Sequence, residues 1–198
     1  MPQKSVLNVY HALFASHMRY ACQVWGLCDN FRTHRIQVLQ NIACRLMTFN
    51  GPRTSATLLY RELGILKFFD QVKVQNTLFV HSHLNSQLPQ DTLNSLSFTK
   101  LNHRYGTRGN RMGLLELGNV NTTRFGLNSL MRVASNQWNS LQRTFPNTEL
   151  SSYSMSKFKK LVIKHYLSNY TWLCQVVYVN YGTISRVFEE FLFKCIYY

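Results

Sequence analysis

Between His103 and Arg111 the chain reads HRYGTRGNR, which sets the guanidinium groups of Arg104, Arg108 and Arg111 around Tyr105, on a backbone loosened by Gly106 and Gly109. Guanidinium forks suit phosphate oxygens and a tyrosine ring stacks on any base, so the grouping fits contact with a polynucleotide. A solvated basic loop is the plain alternative. Farther on, Lys157, Lys160 and Lys164 recur at intervals of three and four. On a helix that spacing makes a stripe about 60° wide, able to follow a phosphate backbone or simply to face water. Arg32, Arg35 and Arg45, on a segment of helical period, complete the candidate phosphate contacts.

Charge points the same way. The 198 residues hold 22 Lys and Arg against 8 Asp and Glu, a formal +14, so a polyanionic partner is the leading physical expectation. Residues 101–170 carry ten Lys and Arg against Glu116 and Glu149, a net of +8, whereas residues 171–198 carry two of each sign. With 45% hydrophobic and 15% charged residues, the chain belongs to the globular rather than the disordered class.

The same scarcity of acids excludes much chemistry. A two-metal polymerase or nuclease centre needs two or three converging carboxylates. No Asp-Asp pair exists, Asp29, Asp70 and Asp91 are scattered, and Glu189-Glu190 stands in an atypical tail. No P-loop and no GxGxxG offers a phosphate cradle. Cys22, Cys28, His34 and Cys44, or His81 with His83, lack the paired spacings of zinc ligands. Nothing sets a Cys beside a His as an activated nucleophile. The five cysteines are irregularly spaced and no secretory segment is visible, so reduced thiols in an intracellular compartment are expected, Cys22 and Cys44 as small buried hydrophobes. No apolar run is long enough to span a membrane.

Helices must position these groups. Leu7, Tyr10, Phe14, Met18, Ala21 and Trp25 recur as one buried face of a helix ending near Gly26. A second helix, opened by Asp29 or Asn30, is expected to turn Ile36, Leu39, Ala43 and Leu46 inward and Gln37, Gln40, Asn41 and Arg45 outward. Asn50-Gly51-Pro52 stops it. Thr54 or Ser55 caps a short helix through Glu62, with Gly64 at its C′ position. A further helix covers residues 65–84, with Ile65, Phe69, Val72 and Phe79 on one side. Residues 85–126 read as loops with two short strands, near 112–117 and 122–125. Helices over 127–141 and over KFKKLVIKHYL follow; in the latter Phe158, Val162 and Tyr166 oppose the lysines. The tail from Tyr170 is aromatic and differs in kind.

Taken in order, YHALFASHMRYACQVWG, LQNIACRLM, LLYRELGILKFFD, Leu88-Pro89, HRYGTRGNR, WNSL at 138–141 and FKKLVIKHYL resemble the C-terminal region of LINE-type, non-LTR retrotransposon reverse transcriptases, most closely the jockey-like group. The resemblance covers residues 4–170. It implies a mainly α fold: a thumb-like helical pair over 1–50, then a basic helical post-thumb region over 51–170 with a short β and loop segment around 98–126. Residues 171–198 form a divergent tail outside the family pattern. The family's activity is RNA-directed DNA synthesis. Its paired aspartates have no counterpart here, so no catalytic residue carries over, and Mg²⁺ is expected only in a palm that this chain does not contain. The implied partners are RNA or an RNA/DNA hybrid and that missing palm. A decayed transposon remnant, or a helical interaction module without activity of its own, is the alternative.

Overall fold

A computed structural model describes residues 3–178 of the chain, apart from 29, 103, 106, 108, 110, 111, 123–125 and 147. The described residues are mainly helical, as the periodicity predicts. The first segment comprises α1 (Gln3–Val9), a π-helical turn (Tyr10–Ala15) and α2 (Ser16–Arg19), followed by the short α3 (Cys22–Trp25). Expected as one helix, it is broken at Ala21, which adopts the left-handed conformation at φ 47°. The wide turn and the break together shift the register. Tyr10, Ala15, Met18 and Cys22 become the buried set, and Ala21 is left exposed.

Helix α4 (Asn30–Met47) has the expected extent but is rotated: Ile36 and Ala43 pack against the core as expected, whereas the other two apolar positions do not. Leu39 and Leu46 are 56% and 69% exposed, while Gln37 and Gln40 are buried. The inward face is made of Thr33, Gln37, Gln40, Cys44 and Met47. A polar face can be buried only when its hydrogen bonds are met inside, and here they are. Gln40 Nε2 donates to the Tyr10 hydroxyl at 3.0 Å and to the Leu66 carbonyl at 2.9 Å. The Phe68 N–H donates to Gln40 Oε1 at 2.8 Å and to Gln37 Oε1 at 3.0 Å. Gln37 Nε2 donates to the Tyr60 hydroxyl at 2.8 Å, and that hydroxyl donates to Asn41 Oδ1 at 2.8 Å.

Beyond α4 lie α5 (Ala56–Leu63), α6 (Phe68–Leu84), α7 (Gln90–Ser95), α8 (Leu130–Thr144) and α9 (Met155–Tyr178). Gly64 ends α5 at φ 64°, the left-handed cap expected of it. Helix α6 is central, with α3, α4, α8 and α9 packed around it. It is buried on more than one side: Phe68, Val72, Val74 and Val80 are all inside, whereas Phe69, expected inward, is 38% exposed. Where two short strands were expected, the described residues hold an isolated antiparallel bridge between Lys100 and Leu115. Residues 123–125, most of the second expected strand, lie outside the described residues. Helix α8 begins three residues later than the period suggested, leaving Leu127 43% exposed. Helix α9 runs through residue 170, where the tail was expected to begin; the tail beyond Tyr178 lies outside the described residues.

Candidate nucleic-acid interface

The lysine stripe is held outward by what lies behind it. On α9, Phe158 and Val162 are fully buried. Phe158 stacks on His81 of α6, with centroids 4.5 Å apart and planes at 14°, and meets Trp138 of α8 at 5.6 Å. His81 Nε2 donates to the Tyr153 carbonyl at 2.9 Å, which joins α6 to the turn that precedes α9. Burial pushes the His81 pKa down, which favours the neutral ring. At the other end, the Tyr170 hydroxyl donates to Asp70 Oδ2 at 2.7 Å and accepts from the Lys67 N–H at 2.9 Å. With both ends anchored, Lys157, Lys160 and Lys164 face solvent on the far side, as the spacing predicts, and Lys159 is exposed beside them.

The arginine loop stands on a clamped neck. The Leu101 N–H donates to the Leu114 carbonyl at 2.7 Å and the Glu116 N–H to the Thr99 carbonyl at 2.8 Å. Asn139, buried on α8, closes the neck. Its Oδ1 accepts from the Leu115 N–H at 2.7 Å, and its Nδ2 donates to the Leu115 carbonyl at 2.9 Å. One side chain thus satisfies both backbone groups of Leu115, which the bridge bonds to Lys100's neighbours do not use. From this neck, Arg104 and Tyr105 project into solvent, Tyr105 at 77% exposure. Arg108 and Arg111, the other two guanidinium groups of the candidate loop, lie outside the described residues. Asn139 is the positioning residue that spacing alone did not single out. Its only sequence signal was membership of the WNSL segment.

Arg32 and Arg35 are exposed on the first two turns of α4. Arg45 is half-buried, and its Nε donates to the Thr54 carbonyl at 3.1 Å, so it braces the turn between α4 and α5. Two further cations are drawn into the fold. Lys73 pairs with Asp70 at 2.9 Å and sits over the Tyr166 ring, and Lys67 bonds to Thr57 Oγ1 at 3.1 Å beneath Tyr170. The candidate contacts therefore ride on three supports: α4, the clamped loop and α9. Among the described residues no group of three or more His, Cys, Asp or Glu is placed to hold a metal ion, and no helix is long and apolar enough to cross a membrane. Cys22 and Cys44 are buried thiols whose pKa values desolvation pushes up to about 11, the state of an inert core residue.

A segment of 73 residues is 32% identical to a probable RNA-directed DNA polymerase from transposon X-element of Drosophila melanogaster. It makes up 37% of this chain and 8% of the fly protein, so the chain spans a small fraction of the relative it matches. That similarity supports a relationship to transposon RNA-directed DNA polymerases. No family model matches the chain, and no solved structure gives a significant match.

Proposed function

We propose that this chain is a nucleic-acid-binding part of a non-LTR retrotransposon reverse transcriptase, holding template RNA or an RNA/DNA hybrid while synthesis is carried out at a palm that lies outside it. The similarity to a transposon polymerase carries this reading. The exposed cations of α4, the clamped loop and α9 supply its physical means. Residues 1–50 would serve as the thumb-like unit and 51–170 as the post-thumb region. Phosphate contact is made by Arg32, Arg35, Arg104 and the α9 lysines, with Arg108 and Arg111 added from the loop. Tyr105 offers a ring on which an unpaired base can stack. Mg²⁺ and the paired aspartates belong to the palm, and the chain's own role is to grip.

The test is the salt dependence of binding to a labelled RNA/DNA hybrid, followed by fluorescence anisotropy between about 50 and 250 mM KCl. Replacing Lys157, Lys160 and Lys164 together by Gln should flatten the slope of log K against log[salt] by up to about 2–3. An unchanged slope removes α9 from the interface. Absence of binding at the lowest salt would sink the reading and favour the helical interaction module, which the exposed apolar face of α4 also suits.

A further inference from the structure

A cavity of about 500 Å³ opens at the foot of the arginine loop, a volume typical of small-ligand sites. Lys100 and Met112 line it from the two sides of the neck, Trp138 and Gln142 from α8, and Glu149 and Ser151 from the turn that precedes α9. Trp138 and Gln142 stand four residues apart and so share one face of α8. Both are buried, at 1% and 6% exposure. The Trp138 indole Nε1–H has no hydrogen-bond partner. A buried donor left without an acceptor is costly and rare. Gln142 Nε2 donates to the Thr148 carbonyl at 2.9 Å, which fixes the amide and leaves Oε1 without a partner among the described residues. Helix α8 thus holds an uncommitted donor and an uncommitted acceptor one turn apart, on two residues of the same cavity wall.

Charge narrows the choice of ligand. The charged residues described on the wall are Lys100 and Glu149, both exposed and of opposite sign. A bare phosphate or carboxylate would meet Glu149 as well as Lys100, so the cavity does not suit a free anion. What remains is an uncharged group with apolar faces, carrying an acceptor next to a donor on its edge. Nucleobases have this form, as in N7 and the N6 amine of adenine. Unpaired bases of RNA are the ones whose edges are free to be read in this way.

Position agrees with chemistry. Arg104 and Tyr105, exposed on the loop, follow Lys100 by four and five residues. They therefore lie within about 18 Å of it along the chain. A strand gripped by the loop passes the mouth of the cavity, where Lys100 can meet its phosphate.

We propose that this cavity receives one unpaired base of the RNA strand, whose edge accepts from the Trp138 indole N–H and donates to Gln142 Oε1, with Lys100 on the adjoining phosphate. The inference rests on the nucleic-acid reading above and adds a base-binding subsite to it. The test uses the full chain with three RNA/DNA hybrids: blunt, with a short RNA overhang of adenosines, and with the same overhang made abasic. Fluorescence anisotropy should show several-fold tighter binding when the overhang carries its bases than when it is abasic. The indole N–H resonance of Trp138, assigned by its loss in Trp138→Phe, should move with the adenosine overhang and not with the abasic one. Trp138→Phe removes the donor and Ser151→Phe fills the cavity, so each should abolish the preference. In both free variants the Trp25 indole resonance should keep its position, because the stack of Trp25 on Phe68 at 5.3 Å reports an intact fold. If the blunt hybrid binds but the two overhangs bind alike, the subsite is overturned and the grip on the hybrid stands. A Trp138 resonance that the bases leave unmoved, or a preference that survives both substitutions, overturns it equally. Failure of all three hybrids to bind sinks the nucleic-acid reading and the subsite with it.

Discussion

Gln40 concentrates the logic of the interior in one side chain. It is 1% exposed and bonded to Tyr10, Leu66 and Phe68, residues from two stretches of chain on either side of α4 in sequence. Truncation removes those partners together and leaves the Leu66 carbonyl and the Tyr10 hydroxyl buried without a replacement. Gln40→Ala should therefore cost about 2–4 kcal/mol, read as a fall in the urea midpoint at constant m-value. His81 makes a second residue-scale prediction. Its Nε2–H is spent on the Tyr153 carbonyl, its ring lies on Phe158, and burial lowers its pKa from the ordinary 6.5. Below that value the unfolded chain binds a proton that the folded chain resists, so stability is full above about pH 6.5 and is lost as pH falls. His11 and His165 are shifted the same way by burial and add to the slope. Denaturant titrations at pH 7.5 and 5 should show the loss, and His81→Gln should reduce it. Nothing in the spacing of His81 and His83 distinguishes a satisfied core imidazole from a ligand. Its partners are 72 and 77 residues away.

At the scale of elements, α9 and α4 respond to the same periodicity in opposite ways. On α9 the apolar residues point in and the lysines out, because α6 and α8 offer an apolar socket in Trp138 and the ring of His81. On α4 Val38, Leu39, Ile42 and Leu46 point out, because the facing elements present hydroxyls and backbone groups that the glutamines satisfy. The first helical segment depends on a close approach. Gly26 closes α3 with its N–H donated to the Cys22 carbonyl. A Cβ there would stand 2.3 Å from that oxygen and 2.8 Å from Val72 Cγ2. Gly26→Ala should thus push α3 off α6 and destabilise the fold by at least about 2 kcal/mol, measurable by thermal melting. Trp25, stacked on Phe68 at 5.3 Å, reports the same displacement by its fluorescence.

For the molecule as a whole, one buried cluster extends from Tyr10 to Tyr170, so the exposed cations of α4 and α9 are carried on a common body. This is why the salt slope expected for the hybrid is a property of the whole surface: counterions are released wherever a phosphate is met, and each support contributes its own increment. The sequence by itself determined the helical class, the Gly64 stop, the outward lysine stripe of α9 and the surplus of cations, since each follows from local period, local conformation or composition. It also carried the order of segments by which the chain resembles a reverse transcriptase. Tertiary structure alone decided that Asn139 clamps the loop bearing Arg104, that Arg45 is spent on Thr54, and that α4 turns its glutamines inward. The reason is physical. A period marks which residues share a face, but the direction of that face depends on what the facing elements present. Those groups come from residues up to 31 positions away from the glutamines they bond, beyond the range of any local pattern.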